Sequence, residues 1–220
     1  MRICVGLPGY RRDGFDITLN RTLEHIQNSK DVELLGKSFM VSSLLAHGFN
    51  KLWAGMLNAR KQHGWTHFFM LHADIEPISD GWFNTMVSEM ERFNLDAIAV
   101  SVGIRGDIDE TSTAQEAVGN EPLRRLKIKE TAGITLTSSE KPGLLINTGC
   151  LLMRADRDWC EKFYFDIQDS IVKQADGTFL AITASEDWNM SRFFAANNIR
   201  YGATGKVKVL HYGLKGYTNW

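Results

Sequence analysis

The chain has 220 residues, of which 44% are hydrophobic and 23% charged, with a formal net charge of −1. That length suits one domain with a small appendage, large enough to bury about 70–75% of its unfolded surface without disulfides or metals. The balance excludes a disordered chain, a collagen and a coiled-coil rod; the apolar runs fall short of the ~18 residues of a membrane span, and no basic excess of the kind that carries nonspecific nucleic-acid binding is present.

Arg2–Leu7 is short, apolar and partly β-branched, and it breaks at Gly6-Leu7-Pro8-Gly9, as a strand entering a turn does. A helical pattern spans Phe15–Ile26, and a strand follows at Val32–Met40. Asn50–Gln62 is a stronger helix, with Leu52, Trp53, Met56 and Leu57 on one face and a stop at His63-Gly64. Thr66-His67-Phe68-Phe69-Met70-Leu71 is apolar without alternation, which suits a strand covered on both faces of a parallel sheet. Gly81–Phe93 reads as a helix and Ala97–Val102 as another buried strand. Strand and helix thus alternate through the first half, the mark of an α/β layer fold with a mostly parallel sheet.

Beyond Gly103 the pattern changes. Arg105–Glu121 is polar without an apolar period and reads as a long loop, a candidate lid over a site. Leu126, Ile128, Ile134 and Leu136 around Thr131-Ala132-Gly133 suggest a hairpin, and Gly143–Met153 one apolar strand. Asp176-Gly177 marks a second hairpin within Ile171–Ala181. Ser185 is placed to cap a helix over Glu186–Asn197, and Lys206–His211 is the final strand. Cys4, Cys150 and Cys160 have no paired spacing and read as buried thiols. With no signal-peptide pattern at the start, a cytoplasmic location is expected. Trp53, Trp82 and Trp188 fall at helical spacing and read as core; Trp159 and Trp220 are less obviously internal and are weak candidates for stacking on carbohydrate.

Neither G-x-x-x-x-G-K-[ST] nor an early G-x-G-x-x-G occurs, which argues against a P-loop or dinucleotide site. Three constellations carry chemistry instead. His72-Ala73-Asp74 ends a buried strand, where open α/β sheets bind ligands and a carboxylate can hold a divalent metal; the alternative is a turn cap beside a core histidine. Ser185-Glu186-Asp187-Trp188 opens a helix, where the acids either complement the helix dipole or accept a proton from an attacking hydroxyl. His211-Tyr212-Gly213-Leu214-Lys215 offers an imidazole, a close backbone approach and a cation for phosphate.

In their order, with Ile146-Asn147-Thr148-Gly149-Cys150 between them, these segments resemble the GT-A fold of nucleotide-sugar glycosyltransferases over most of the chain. The resemblance implies a single domain over 1–220, with a nucleotide-sugar-binding half at 1–104 and an acceptor-side half at 105–220. It implies Asp74 as the metal-binding second aspartate of D-x-D, His72 in place of the first, touching metal or nucleotide, and His211 as the late metal ligand. Asp187 is then the base and Glu186 its partner. The donor side would comprise Pro8, Gly9 and Tyr10 at the base, Asn58 and Arg60 on the preceding helix, and Asn147, Gly149 and the phosphate-binding Lys215. A mixed nitrogen and oxygen set suits Mn2+, with Mg2+ also accommodated.

The implied donor is a nucleotide diphosphate sugar, a UDP-sugar foremost. The acceptor is a glycan, a small molecule or a hydroxymethylated base in viral DNA, in a bacterial cell or a virus-infected host cell. The basic cluster Arg124, Arg125, Lys127 and Lys129 is what a DNA acceptor would engage, or else a solvated face. The E-D helix leans toward inversion at the anomeric carbon and the His-Gly-Lys tail toward retention. Two other classes stay open: a nucleotide-sugar-binding protein without catalysis, and nucleotidyl transfer on a related sheet.

Overall fold

The computed structural model describes residues 1–9, 16–42, 44–104, 109–117, 123–212 and 216–218. In chain order it contains β1 (Arg2–Gly9), α1 (Asp16–Gln27), β2 (Glu33–Val41), α2 (Leu45–His63), β3 (His67–Leu71), β4 (Ile75–Pro77), α3 (Trp82–Arg92), β5 (Ala97–Val100), β6 (Glu110–Gln115) and β7 (Arg124–Lys127). There follow α4 (Ile128–Thr131), β8 (Thr135–Thr137), β9 (Leu144–Leu145), β10 (Cys150–Arg154), β11 (Gln168–Lys173), β12 (Phe179–Ala184), α5 (Glu186–Ala196), β13 (Tyr201–Thr204), β14 (Val209–Tyr212) and β15 (Gly216–Thr218). No helix among the described residues is long and apolar enough to cross a membrane.

The central sheet has seven strands in the order β2-β1-β3-β10-β5-β13-β8. β2, β1 and β3 pair in parallel, as do β5 and β13, while β10 and β8 run against their neighbours. The expected α/β class with a mostly parallel sheet, flanking helices and small antiparallel sheets therefore holds. Strand β3 shows why: all five of its residues are buried. Phe68 and Met70 face α2 and α5 through Leu52, Trp53, Met56, Met190 and Phe194. Phe69 and Leu71 face α1 and α3 through Leu23, Ile26, Trp82, Phe83 and Met86. Period-two alternation with both faces apolar gives an unbroken hydrophobic run in sequence.

Four expectations are corrected. Within the expected loop 105–121, Glu110–Gln115 is a strand; the lid residues 105–108 and 118–121 lie outside the described residues. Its Thr111 and Thr113 are fully buried, their hydroxyls bonded to Leu126 O at 3.0 Å and Ser101 Oγ at 2.7 Å, so a polar sequence is compatible with burial. The hairpin expected around Thr131-Ala132-Gly133 is absent: β7 pairs with β6, whereas β8 joins the central sheet beside β13. Gly143–Met153 is two strands, because residues 146–149 leave the ladder. Finally, Ser185 occupies the N-cap of α5, but its side chain makes no cap hydrogen bond.

The turn after α4 depends on one glycine. A Cβ at Gly205 would lie 2.0 Å from Thr131 O and 2.5 Å from Thr131 C, both backbone atoms. Gly205→Ala is expected to cost about 3 kcal/mol and lower Tm by roughly 6–12 °C in a chain of this size. A melting curve within about 2 °C of wild type would show that the turn gives way freely.

Candidate active site

Strand β3 ends at Leu71, and the next three residues stand at its carboxyl end, where sheets of this class leave a crevice. Two segments close on this point. β14 pairs antiparallel with β4, setting His211 opposite Ile75, and Tyr212 N donates to Asp74 O at 2.8 Å. On the other flank, His72 N donates to Gly149 O at 2.9 Å. That bond ties the 146–149 segment to the strand end.

Asp74 and His211 face each other, with His211 Nε2 3.6 Å from Asp74 Oδ2. The opposite ring nitrogen, Nδ1, lies 2.8 Å from Gly103 O. A carbonyl only accepts, so Nδ1 carries the proton, and in the neutral ring the lone pair is on Nε2, facing Asp74. This is how proteins orient an imidazole for a metal. The Asp74 side chain is 35% exposed, so a ligand can reach it. Among the described residues no cluster of three or more His, Cys, Asp or Glu side chains is arranged to hold a metal. His72 is not the expected third ligand: its Nε2 lies 3.3 Å from Thr148 Oγ1 and its ring packs on Phe49 with centroids 5.0 Å apart. Burial lowers its pKa to about 4, leaving the ring neutral near pH 7.

Across the strand end stands a carboxylate. Asp187 Oδ1 accepts from Thr148 N at 3.0 Å and from Thr148 Oγ1 at 2.6 Å. Both bonds land on one oxygen and leave Oδ2 outside them. Burial raises the Asp187 pKa above the ordinary carboxylate value, against the lowering effect of the Thr148 bonds and the Arg125 charge. Its neighbour Glu186 is buried, and burial with the Asp187 charge pushes its pKa up to about 7.

The Glu186 shift has a consequence for stability. An unfolded glutamate ionises near pH 4.5, whereas the folded one holds its proton to about 7. The Glu186 contribution to stability is therefore greatest below 4.5 and falls by about 3 kcal/mol as pH rises through 7. Glu186→Gln is expected to raise Tm more at pH 8 than at pH 5. Equal shifts at the two pH values would show that Glu186 ionises normally.

The remaining expected residues divide by position. The β1–β3 offset that pairs Gly6 with Met70 puts Pro8 level with His72, so Pro8 and Gly9 stand at the crevice. Asn147 is buried and shapes its segment: Nδ2 donates to Val100 O at 2.7 Å and Oδ1 accepts from Gly149 N at 2.9 Å. Gly149 permits a close approach, since a Cβ there would lie 2.4 Å from Ile75 Cδ1. Asn58 and Arg60 lie elsewhere. They sit in the last turns of α2, where Arg60 Nη1 donates to Ala155 O at 2.8 Å and Nη2 bonds Glu161. Ala155 follows Arg154, which pairs with His67 at the amino end of β3. The helix returns antiparallel to the strands, so its first turn, with Phe49, meets the site and its last turn does not. Tyr10 and Lys215 lie outside the described residues, as does Trp220.

Thr148 is the site residue that sequence reasoning misses. It is 1% exposed and bridges His72 to Asp187, yet only its place inside an apolar run flags it in sequence. Trp188 also departs from expectation. It is half-buried, with the Arg125 guanidinium 5.6 Å from its ring centroid, whereas Trp53 and Trp82 are core. Trp159 stacks on Trp53 at 6.2 Å and 11° and is half-buried against the core.

No protein-family model matches the chain, and no curated protein matches it by sequence. Solved structures do. The crystal structure of A197 from STIV superposes with a TM-score of 0.57 at 13% identity, over 97% of this chain and 86% of that one. CMP:2-keto-3-deoxy-manno-octonic acid synthetase complexed with CTP matches at a TM-score of 0.47 and 11% identity, over 92% and 89% of the two chains. Apo UDP-glucose pyrophosphorylase matches at 0.39 and 11%, over 99% and 75%. At these identities the likeness to A197 is one of fold.

Proposed function

We propose that this chain is a GT-A-type glycosyltransferase that moves a sugar from a nucleotide diphosphate sugar to an acceptor hydroxyl, with inversion at the anomeric carbon. The observation that carries the reading is the division of labour around the end of β3. Asp74 and an oriented His211 stand on one flank, and Asp187, held through a single oxygen by Thr148, stands on the other.

Asp74 and His211 suit a divalent ion that takes its other ligands from water and phosphate oxygens, as Mg2+ commonly does, and the carboxylate–imidazole set equally suits Mn2+. When bound there, the ion supplies positive charge against the diphosphate leaving group. The chain's own residues do the rest. Pro8 and Gly9 bound the donor end of the crevice, and Tyr10 is proposed to meet the base and Lys215 to offset phosphate charge. The acceptor oxygen attacks the anomeric carbon as the sugar–phosphate C–O bond breaks, its electron pair leaving with the diphosphate. The acceptor's proton passes to Asp187 Oδ2, whose partner oxygen stays anchored on Thr148. Burial strengthens Asp187 as a base by raising its pKa, and the raised pKa of Glu186, about 7, leaves it partly protonated at neutral pH, which lessens repulsion within the pair.

The test is incubation of the protein with a panel of nucleotide sugars and Mn2+, measuring released nucleoside diphosphate. Metal-dependent release, with product of opposite anomeric configuration, is expected. Pyrophosphate release when a nucleoside triphosphate and a sugar phosphate replace the nucleotide sugar would mean nucleotidyl transfer instead. Donor-induced thermal stabilisation with no turnover across acceptors would mean a binding protein. Neither release nor stabilisation would remove the reading.

A further inference from the structure

The cations at 124–129 are handled unequally by the fold. Arg124 is gripped by both oxygens of Glu130, with Nη1–Oε2 and Nη2–Oε1 each 2.8 Å. Lys127 Nζ donates to Asp109 Oδ2 at 2.9 Å. On α5, Arg192 is likewise taken by Glu116. These pairs discharge much of the surface that would have tracked a polyanion. Arg125 differs. It is half-buried, lies over the Trp188 ring, and among the described residues has no carboxylate within ion-pair distance. Trp188 directly follows Asp187 in the first turn of α5, and the Arg125 charge reaches far enough to act on the Asp187 carboxyl.

The attraction of a guanidinium over an indole acts between its charge and the ring face and needs none of its five N–H donors, which remain for a partner. Those donors match two oxygens of one carboxylate or phosphate, and an otherwise unpaired, partly desolvated cation binds such a group more strongly than an exposed one does. We infer that Arg125 and Trp188 form an acceptor subsite for an oxyanion, so that the acceptor carries a phosphate ester or a carboxylate near the hydroxyl that reacts. This rests on the reading of Asp187 as the acceptor-side base. Arg125 here binds substrate; it takes no part in the bond changes.

The experiment is a titration of the full-length 15N-labelled protein, without donor or metal, with glucose 6-phosphate, glucuronate and neutral methyl glucoside. The arginine Nε–H signals are followed, and that of Arg125 is the one missing from Arg125→Gln. A saturable shift of this signal with at least one anion is expected, with affinity at least about tenfold above that for the neutral sugar; followed on the Trp188 indole N–H, which wild type and variants at Arg125 share, the affinity falls about tenfold in Arg125→Gln. A stronger response to glucose 6-phosphate assigns a phosphorylated acceptor, and to glucuronate an acidic sugar. Arg125→Lys keeps the charge without the fork or the stacking, and is expected to recover only part of the affinity; Trp188→Phe tests the stacking where the glutamine variant does not fold.

No Arg125 shift with either anion, or equal anion affinity in wild type and Arg125→Gln, overturns the subsite. So does an Arg125→Gln effect confined to the pH dependence of turnover, which would mean that Arg125 only tunes Asp187. No nucleotide sugar enters the titration, so anion binding at Arg125 alongside absent sugar transfer would remove the glycosyltransferase reading and leave the oxyanion site, and transfer without anion binding would do the reverse.

Discussion

Asp187→Asn is expected to lower kcat for sugar transfer by about 10²- to 10⁴-fold, the usual worth of a positioned base. The substitution is close to isosteric. The asparagine carbonyl can still accept both Thr148 bonds, at the position where Asp187 Oδ1 accepts them now at 3.0 and 2.6 Å. What disappears is the second oxygen's ability to take a proton. Donor KM is therefore expected to stay within about twofold of wild type while kcat falls, the pattern of an interaction made only in the transition state. Stability should not suffer, because a carboxyl whose pKa burial has raised is being replaced by a neutral group. Steady-state kinetics at saturating acceptor, with a melting curve alongside, would check this. Activity within about tenfold of wild type would remove Asp187 as the base, and with it the case for direct displacement.

Asp74→Ala is expected to abolish metal-dependent turnover, with a loss of about 10³-fold or more, since the ion's charge stabilisation is worth several kcal/mol. Manganese binding in the presence of a nucleoside diphosphate, followed by paramagnetic relaxation of water, gives a readout separate from activity and should weaken in parallel. His211→Gln is expected to fall between this variant and wild type, because Asp74 survives to bind the ion. The competing account is that Asp74 and His211 form a structural ion pair at 3.6 Å. In that case both variants would lower Tm and leave the metal dependence as it was.

Much of the architecture is legible in the amino-acid order because it depends on which faces are apolar. The run Phe68-Phe69-Met70-Leu71 has no polar side, so only a strand covered by helices on both faces accommodates it, and β3 is that strand. The amphipathic face of Trp82, Phe83, Met86 and Met90 similarly identifies α3. Asp74 is legible for a related reason: a carboxylate directly after a buried strand falls at the crevice of any such sheet.

Other features depend on partners distant in the chain. Thr111 and Thr113 look like loop residues until Leu126 and Ser101 supply partners for their hydroxyls. Tyr201–Thr204, short and with a glycine, is a strand because β5 and β8 flank it. Motif order misplaces Asn58 and Arg60 because it records sequence distance, whereas the antiparallel return of α2 decides which of its ends meets the site.

Hydrophobic periodicity and residue type are local properties, so the order of amino acids was enough to define the layers of this protein and the chemistry available at the end of β3. Folding in three dimensions added that Thr148 holds Asp187, that Gly103 orients His211, and that Arg125 lies on Trp188 while Arg124 and Lys127 are paired. Each of these pairings is a hydrogen bond, ion pair or ring contact between side chains or backbone groups, and such contacts form at a few ångströms between atoms that chain folding, not spacing in the sequence, brings together.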